Sequence, residues 1–331
     1  PALIAGNTVL AKPSELTPNT SALISKMIGD LFETKEVAVI EGDKETAKLL
    51  LDKPFNHIFF TGSDQVGRKV VEASAKYLSS VTLELGGKSP VIIDEGYNLG
   101  KVVNRLVATK FINLGQTCIA PDYILVEKTI EQKLLEALKQ EIKDNYSNTD
   151  TINENYVQII NERHFQRLTN LIPTDRIYTG GEYNIKERVI HPTILHNISF
   201  EDDIMKNEIF GPILPIISFD NLDETIANIK EKDKPLSLYI YSNDKKRIKK
   251  LLNEISFGGG AINDSLVHLL NPNLPFGGVG ASGIGSYHSK AGFDTFTHYK
   301  SILHKSFLFE PNIKYKPYSK LKKRILKMLL E

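Results

Sequence analysis

Apolar positions along this chain fall into short continuous runs, separated by stretches with helical spacing. Runs at 7–12 (NTVLAK), 36–41 (EVAVIE), 57–62 (HIFFTG) and 81–85 (VTLEL) predict strands, with helices between them at 18–32, 44–51 and 64–77. The runs do not alternate with polar residues, as expected of strands covered on both faces. Strand and helix alternating at this spacing predict a parallel, doubly wound α/β sheet, with ligands outside the carboxyl ends of its strands. After LELGGKSP (83–90) the pattern restarts. A strand at 90–94 precedes a helix carrying Val103, Leu106, Val107, Phe111 and Leu114 and ended by Gly115. A strand at 123–128, a helix near 130–144 and strands LPIISF (214–219) and SLYIYS (237–242) follow, so a second α/β domain begins near residue 86. Polar 145–156 reads as a loop, and 296–309 (FTHYKSILHKSFLF) as a long edge or inter-subunit strand. The opening PALIAG reads as the last turn of a helix stopped by Gly6, which creates the expectation that a segment precedes Pro1.

Composition adds bounds. Of 331 residues, 41 % are apolar and 24 % charged, which suits a globular chain of about two domains. A single cysteine excludes an internal disulfide and favours a reducing, cytoplasmic setting. No run approaches the length of a membrane span, and no signal-peptide pattern opens the chain. Net charge is +1, but residues 312–331 alone carry +6, so the body is slightly acidic and has no nucleic-acid footprint. In that tail Leu321, Ile325, Met328 and Leu329 form one helical stripe beside a basic face. It suits an anionic membrane surface, peripherally, or docking on the body or a partner subunit.

The lone cysteine, Cys118, sits in NLGQTCIAP (113–121). It is either a small buried hydrophobe or a nucleophile, and the latter needs a base, an oxyanion site and a cofactor. Glu84 lies between leucines. A carboxylate there is either paired with a lysine or pushed up in acid constant, as a general base near neutrality requires. Gly86 and Gly87 follow it and leave the backbone open to a ligand. HIFFTGSDQVGRKVV passes through Gly62 into a helix with Ser63 as N-cap, an apolar face of Val66, Val70, Ala73 and Tyr77, and Gly67 in its first turn. This is a plain strand–helix turn or a pyrophosphate site. Lys12 and Glu15 in LAKPSELTP are either a solvated pair or ribose contacts, and Glu208 and Phe210 in NEIFGPILP are either loop and core or sugar and ring contacts. GVGASG (278–283) matches a dinucleotide fingerprint literally but lacks the strand and helix around it, and reads as a mobile loop. No metal-ligand spacing and no G-x-S-x-G are present.

Taken in order, AGNTVLAKPSELTP, FTGSDQVGR, LELGGKSP, GQTC, EIFGP and PFGGVGASGIG closely resemble the aldehyde dehydrogenase superfamily over residues 5–285. The form GQTCIAPDYILV and the basic, apolar tail resemble its class 3, fatty-aldehyde branch. The resemblance implies an α/β fold with a partial, Rossmann-like, parallel-sheet cofactor domain (1–85), a catalytic domain (86–290), a bridging oligomerisation segment (291–311) and a basic tail (312–331), lacking the family's N-terminal segment. It implies oxidation of aldehydes to carboxylic acids through a thiohemiacetal and a thioester, with Cys118 as nucleophile and Glu84 as base. It places Lys12 and Glu15 at the adenosine ribose, Gly62, Ser63 and Gly67 at the pyrophosphate, and Gly86 on the cofactor side. Glu208 would hold the nicotinamide ribose with Phe210 beside the ring, and Phe276 would lie near the aldehyde. Glu15 favours NAD over NADP, while Lys12 softens that preference and leaves NADP open. The implied partners are a small aldehyde and a second copy of the chain. The family's side-chain oxyanion donor, an Asn, falls before Pro1, which leaves the Cys118 N–H. A non-catalytic dehydrogenase-like fragment and a coenzyme A-acylating enzyme are the competing readings, and Glu84 disfavours the second.

Overall fold

The computed structural model describes residues 1–146, 156–308 and 310–331. Most of the predicted loop at 145–156 and the last residue of the predicted strand at 296–309 lie outside the described residues. Residues Pro1–Thr297 form one unit and His298–Glu331 another.

The first unit opens on a tight turn. Asn7 N–H bonds to Ala2 C=O at 3.0 Å and Gly6 N–H to Leu3 C=O at 2.9 Å, with Gly6 at φ +84°. These are the paired bonds that close a helix C-terminus, in the left-handed conformation that glycine adopts without steric cost. The chain continues as β1 (Val9–Ala11), α1 (Pro18–Leu31), β2 (Val37–Val39), α2 (Lys44–Leu51), β3 (His57–Thr61), α3 (Asp64–Ala75) and β4 (Ser80–Glu84). β1 pairs with β2 and β3 with β4, each in parallel. Among the described residues these four strands do not join in one ladder, so the expected single sheet is two separate ones. The second gains an antiparallel edge from β14 (Gly283–Ile284), whose Gly283 lies opposite Glu84.

β14 corrects the reading of 278–283 as a mobile loop. Ser282 is fully buried, its C=O accepts from Leu85 N–H at 3.1 Å, and its Oγ accepts from Val279 N–H at 2.9 Å. A segment that supplies ladder bonds and buries its side chain is part of the sheet.

The second half holds β5 (Pro90–Ile93), α4 (Leu99–Phe111), β6 (Tyr123–Glu127), α5 (Glu131–Tyr146), α6 (Glu162–Asn170), β7 (Ile177–Thr179), the hairpin β8 (Tyr183–Asn184) and β9 (Val189–Ile190), and β10 (Thr193–Leu195). It ends with β11 (Ile213–Phe219), α7 (Leu222–Glu231), β12 (Ser237–Tyr241), α8 (Lys245–Glu254), β13 (Gly259–Ile262) and, after β14, α9 (Ser289–Thr295). Seven of these strands make one sheet in the order β13-β12-β5-β6-β11-β10-β7, parallel except for β7 at the edge. Alternate residues feed opposite faces. Ile92, Leu125 and Ile240 join one core, while Val91, Ile93, Ile124 and Tyr239 join the other. This explains why the strands of this sheet read as unbroken apolar runs. The same expectation fails for β1 and β3, where Leu10 and Phe59 are exposed, because these strands lie in small sheets with one face left open.

Two further expectations change. α4 ends at Phe111, before Gly115; Asn113, Leu114 and Gly115 then take φ values of 50°, 52° and 69°. Three successive left-handed residues reverse the chain into the cysteine loop, and for Asn113 and Leu114 this conformation is strained. Residues 298–308 form no strand: the chain leaves α9 in irregular backbone, without the ladder partner that a strand requires. In the second unit α10 (Lys320–Leu330) is capped by Ser319, whose side chain accepts from Lys322 N–H. Among the described residues no helix is long and apolar enough to cross a membrane.

Candidate active site

Three loops meet at the site. One runs from the carboxyl end of β4 through residues 85–89 into β5, one carries Cys118 between Gly115 and β6, and one is the 204–212 segment before β11. Gly115 locks the last two together. A Cβ there would collide with Gly211 O and lie 3.1 Å from Lys110 O.

Glu84 ends β4, between Thr61 of β3 and Gly283 of β14. Its backbone C=O accepts from Gly62 N–H at 3.0 Å. The side chain is buried at 3 % exposure, and neither carboxylate oxygen has a hydrogen-bond partner. The lysine pairing that the sequence left open is not made. Burial alone pushes the Glu84 pKa up to about 8.

Cys118 is partly buried in an apolar cluster with Ile119, Leu236, Phe276, Leu266, Leu269 and Tyr287. Burial, then the charges of Glu208 and Glu84, push its thiol up to about 11, while the N–H groups of Cys118 and Ile119 favour the thiolate. The fold therefore brings the sulfur and both acids into one electrostatic neighbourhood. It brings Phe276 there too: that ring stacks on His288 at 5.5 Å and meets Tyr287 edge-on at 5.8 Å.

Glu208 reaches across to the β4–β5 loop. A Cβ on Gly86 would collide with its carboxylate, so the group approaching Gly86 is Glu208 itself, and at Gly87 it is the backbone of Pro235 and Leu236. Burial, then Asp122, raises the Glu208 pKa to about 8, against Lys88, Arg167 and the Gly87 N–H. Phe210, two residues on, takes φ 49°. The loop is held by residues that carried no assigned role in the sequence. Lys88 pairs with buried Asp122 and donates to the carbonyls of Ile204 at 3.0 Å and Asn207 at 3.1 Å. Asp122 accepts from Ile209 N–H at 3.0 Å, and Arg167 donates to Ile209 O at 2.6 Å. Lys88 and Asp122 stood within recognisable motifs, but Arg167 carried no local signal. Gln116 likewise ties the cysteine loop to residues 158–160, donating to Gln158 O at 3.2 Å and accepting from Ile160 N–H at 2.9 Å.

The other expected cofactor residues lie at exposed strand ends. Gly62 and Ser63 form the turn into α3, and the Ser63 hydroxyl makes no cap bond and is free for a ligand. The buried face of α3 is Gly67, Val70 and Ser74, rotated from the expected one, and Val66 is exposed. A Cβ on Gly67 would lie 2.8 Å from the Leu85 side chain, so this glycine serves helix–strand packing rather than ligand approach. Lys12 pairs with Glu15 at 3.1 Å and also donates to Pro13 O. Among the described residues no His, Cys, Asp or Glu cluster has metal-site geometry.

Comparison with known proteins shows the family. A family model described as the aldehyde dehydrogenase family matches residues 1–302. The 4,4'-diaponeurosporen-aldehyde dehydrogenase of Staphylococcus aureus is 48 % identical over 319 residues, 96 % of this chain and 70 % of that protein. The dimeric, NADP-preferring aldehyde dehydrogenase of Mus musculus is 45 % identical over 306 residues, 92 % of this chain and 67 % of that one. A structure described as the substrate-bound state of Staphylococcus aureus AldH superposes with a TM-score of 0.95 at 46 % identity, covering all of this chain and 73 % of the other. The chain thus spans about 70 % of the length of its curated relatives, and it belongs to the aldehyde dehydrogenase family.

Proposed function

We propose that the chain oxidises aldehydes to carboxylic acids with a nicotinamide dinucleotide, using Cys118 as nucleophile and Glu84 as the base that activates water. The observation that carries this reading is a buried carboxylate without any hydrogen-bond partner, electrostatically coupled to the only thiol in the chain. The alternative of a non-catalytic fragment gives no reason to keep such a costly group.

The residues present suit the cofactor. The α3 N-terminus with a free Ser63 hydroxyl offers N–H donors to a pyrophosphate. Lys12 and Glu15 offer a donor and an acceptor for one ribose, and Glu208 offers acceptors for the other. Glu15 disfavours a 2′-phosphate, Lys12 tempers this, and the reading is NAD with NADP accepted.

Aldehyde chemistry follows from the chain's own groups. Cys118, its thiol proton released to solvent, forms a C–S bond to the carbonyl carbon through Sγ, and the carbonyl oxygen takes up the negative charge. A nicotinamide, when bound, would supply the acceptor for the hydride that leaves this carbon. The carbon is left as a thioester on Cys118. Glu84 then takes a proton from water, the hydroxide adds to the thioester carbon, and the C–S bond breaks to release the acid and restore the sulfur. A base with a pKa of about 8 is about a tenth ionised at neutrality and half ionised at pH 8, so it takes a proton from water readily while still present in its basic form. Phe276, with Tyr287 and Ile119, forms the apolar wall for the aldehyde. The test is Cys118→Ser in the longest available form of the protein, assayed by NADH absorbance with a medium-chain aldehyde. Turnover should vanish, and turnover persisting above a tenth of wild type refutes the assignment.

We further propose the division into cofactor (1–85) and catalytic (86–290) domains, and a homodimer. For α10 we propose an anionic membrane surface: Leu321, Met328 and Leu329 are exposed along a helix that also carries Lys320, Lys322, Lys323, Arg324 and Lys327. Cosedimentation with phosphatidylserine vesicles, lost at high salt, is the expected result.

A further inference from the structure

We propose that Tyr239 and Asn113 are positioning residues of the reaction: their hydrogen bonds pin the two flanks of the turn that presents Cys118. The inference rests on the reading of Cys118 as nucleophile given above.

Cys118 and Ile119 are the central residues of a tight turn, closed by the Ala120 N–H on the Thr117 C=O at 3.0 Å. Closure spends neither the Cys118 nor the Ile119 N–H, and these two donors favour the thiolate. Their aim depends on the peptide planes on either side. The peptide that leaves the turn is held at both ends: its N–H, from Ala120, closes the turn, and its C=O, from Ile119, accepts from the Tyr239 hydroxyl at 2.6 Å. Ile119 and Tyr239 are both fully buried, so no water replaces these bonds if that peptide rotates.

Tyr239 is a stiff anchor. It lies in β12, opposite Ala261 of β13 on one side and Val91 of β5 on the other. An interior strand holds a side chain more precisely than a loop does. Burial, its largest influence, pushes the Tyr239 pKa up against the Ser237 hydroxyl and the Leu266 N–H, so the phenol stays a donor. The peptide that enters the turn is pinned as well. Asn113 Nδ2 donates to Gln116 O at 3.0 Å, and Asn113 O accepts from the Gln116 N–H and from Nε2, each at 3.1 Å. In its left-handed conformation Asn113 thus folds back on the residue before the turn, a backbone state that asparagine tolerates better than most.

Tyr241 supplies the comparison. It is two residues on, on the same face of β12 and fully buried, but its hydroxyl meets Ser265 Oγ at 2.8 Å instead. Because Cys118 is the sole cysteine, its alkylation by iodoacetamide reads the turn at one atom, with no cofactor present. The full chain is compared with Tyr239→Phe, Tyr241→Phe and Asn113→Gly from pH 8 to 10. Both Phe variants lose one buried hydroxyl and should lower the urea midpoint by similar amounts. Only Tyr239→Phe should also slow alkylation, about threefold, equivalent to roughly half a unit in thiol pKa. With aldehyde and NAD its NADH burst should slow about tenfold at an unchanged KM for NAD. Asn113→Gly keeps the left-handed backbone, removes only the amide, and should slow alkylation about twofold. A Tyr239→Phe alkylation rate that matches wild type or Tyr241→Phe overturns the proposal. If Tyr239→Phe does not fold, Asn113→Gly is judged by the same comparison. Persisting turnover in Cys118→Ser would overturn the underlying reading instead, whichever way alkylation falls.

Discussion

Two acids in this molecule, Glu84 buried and Glu208 half-buried, are pushed to similar pKa values in opposite surroundings. Glu84 and Glu208 are both raised to about 8, and in both burial is the main cause. Glu84 ends a strand with no partner on either oxygen. Glu208 sits on a loop ringed by Asp122, Lys88 and Arg167, with the Gly87 N–H favouring its ionised form. An acid without partners is free to exchange a proton, whereas an acid set among fixed charges is oriented to accept hydrogen bonds. Equal acid constants therefore do not imply equal roles, and the surroundings separate a base from a binding group.

Exchanging the acids for amides is the strongest way to break this contrast. Glu84→Gln should slow thioester hydrolysis by about 10²–10⁴ while leaving a stoichiometric NADH burst in stopped-flow traces. In the intact protein that hydrolysis should itself accelerate as pH rises through about 8, where Glu84 ionises. Loss of the burst would instead make Glu84 the activator of the thiol.

Removing the support of Glu208 is next in size. Lys88→Met leaves Asp122 buried without its cation, which should cost about 3–5 kcal/mol in urea denaturation. An unchanged midpoint would show that the loop is held by Arg167 alone.

The proton on Glu84 also has a stability signature. Its pKa is higher folded than unfolded, so its favourable contribution is complete below the unfolded value and is lost as pH rises through about 8. Glu84→Gln should match wild-type stability at pH 5 and exceed it by roughly 2 kcal/mol at pH 9, less than the full shift implies because water and nearby dipoles relax around the charge. Equal melting curves at both pH values would mean that Glu84 has a partner in solution. The smallest effect should be Glu208→Gln, raising the KM for NAD about tenfold with kcat nearly kept, the reverse of Glu84→Gln.

Much of this contrast was legible beforehand. Cys118 stood out as the only cysteine, and Glu84 as a carboxylate between leucines, because both are local departures from an expected pattern. The cradle of Glu208 was not. Lys88, Asp122 and Arg167 are ordinary charged residues in their own segments, and they acquire meaning only where loops 34 to 119 residues apart converge. Gly67 and Gly86 were rightly singled out as places of close approach, but the approaching groups are Leu85 and Glu208.

The amino-acid order by itself determined the parallel pairing of β1 with β2 and of β3 with β4, the covered faces of β5, β6, β11 and β12, the Gly6 stop and the residues fit for thiol chemistry. These depend on periodicity and backbone conformation within a few residues. Tertiary structure decided that β1–β2 and β3–β4 form separate sheets, that 278–283 contributes an edge strand, that 298–308 has no ladder, and that a sulfur faces two acids of different character. Strand pairing and the field at a buried atom are sums over distant groups, and no local window of sequence contains them.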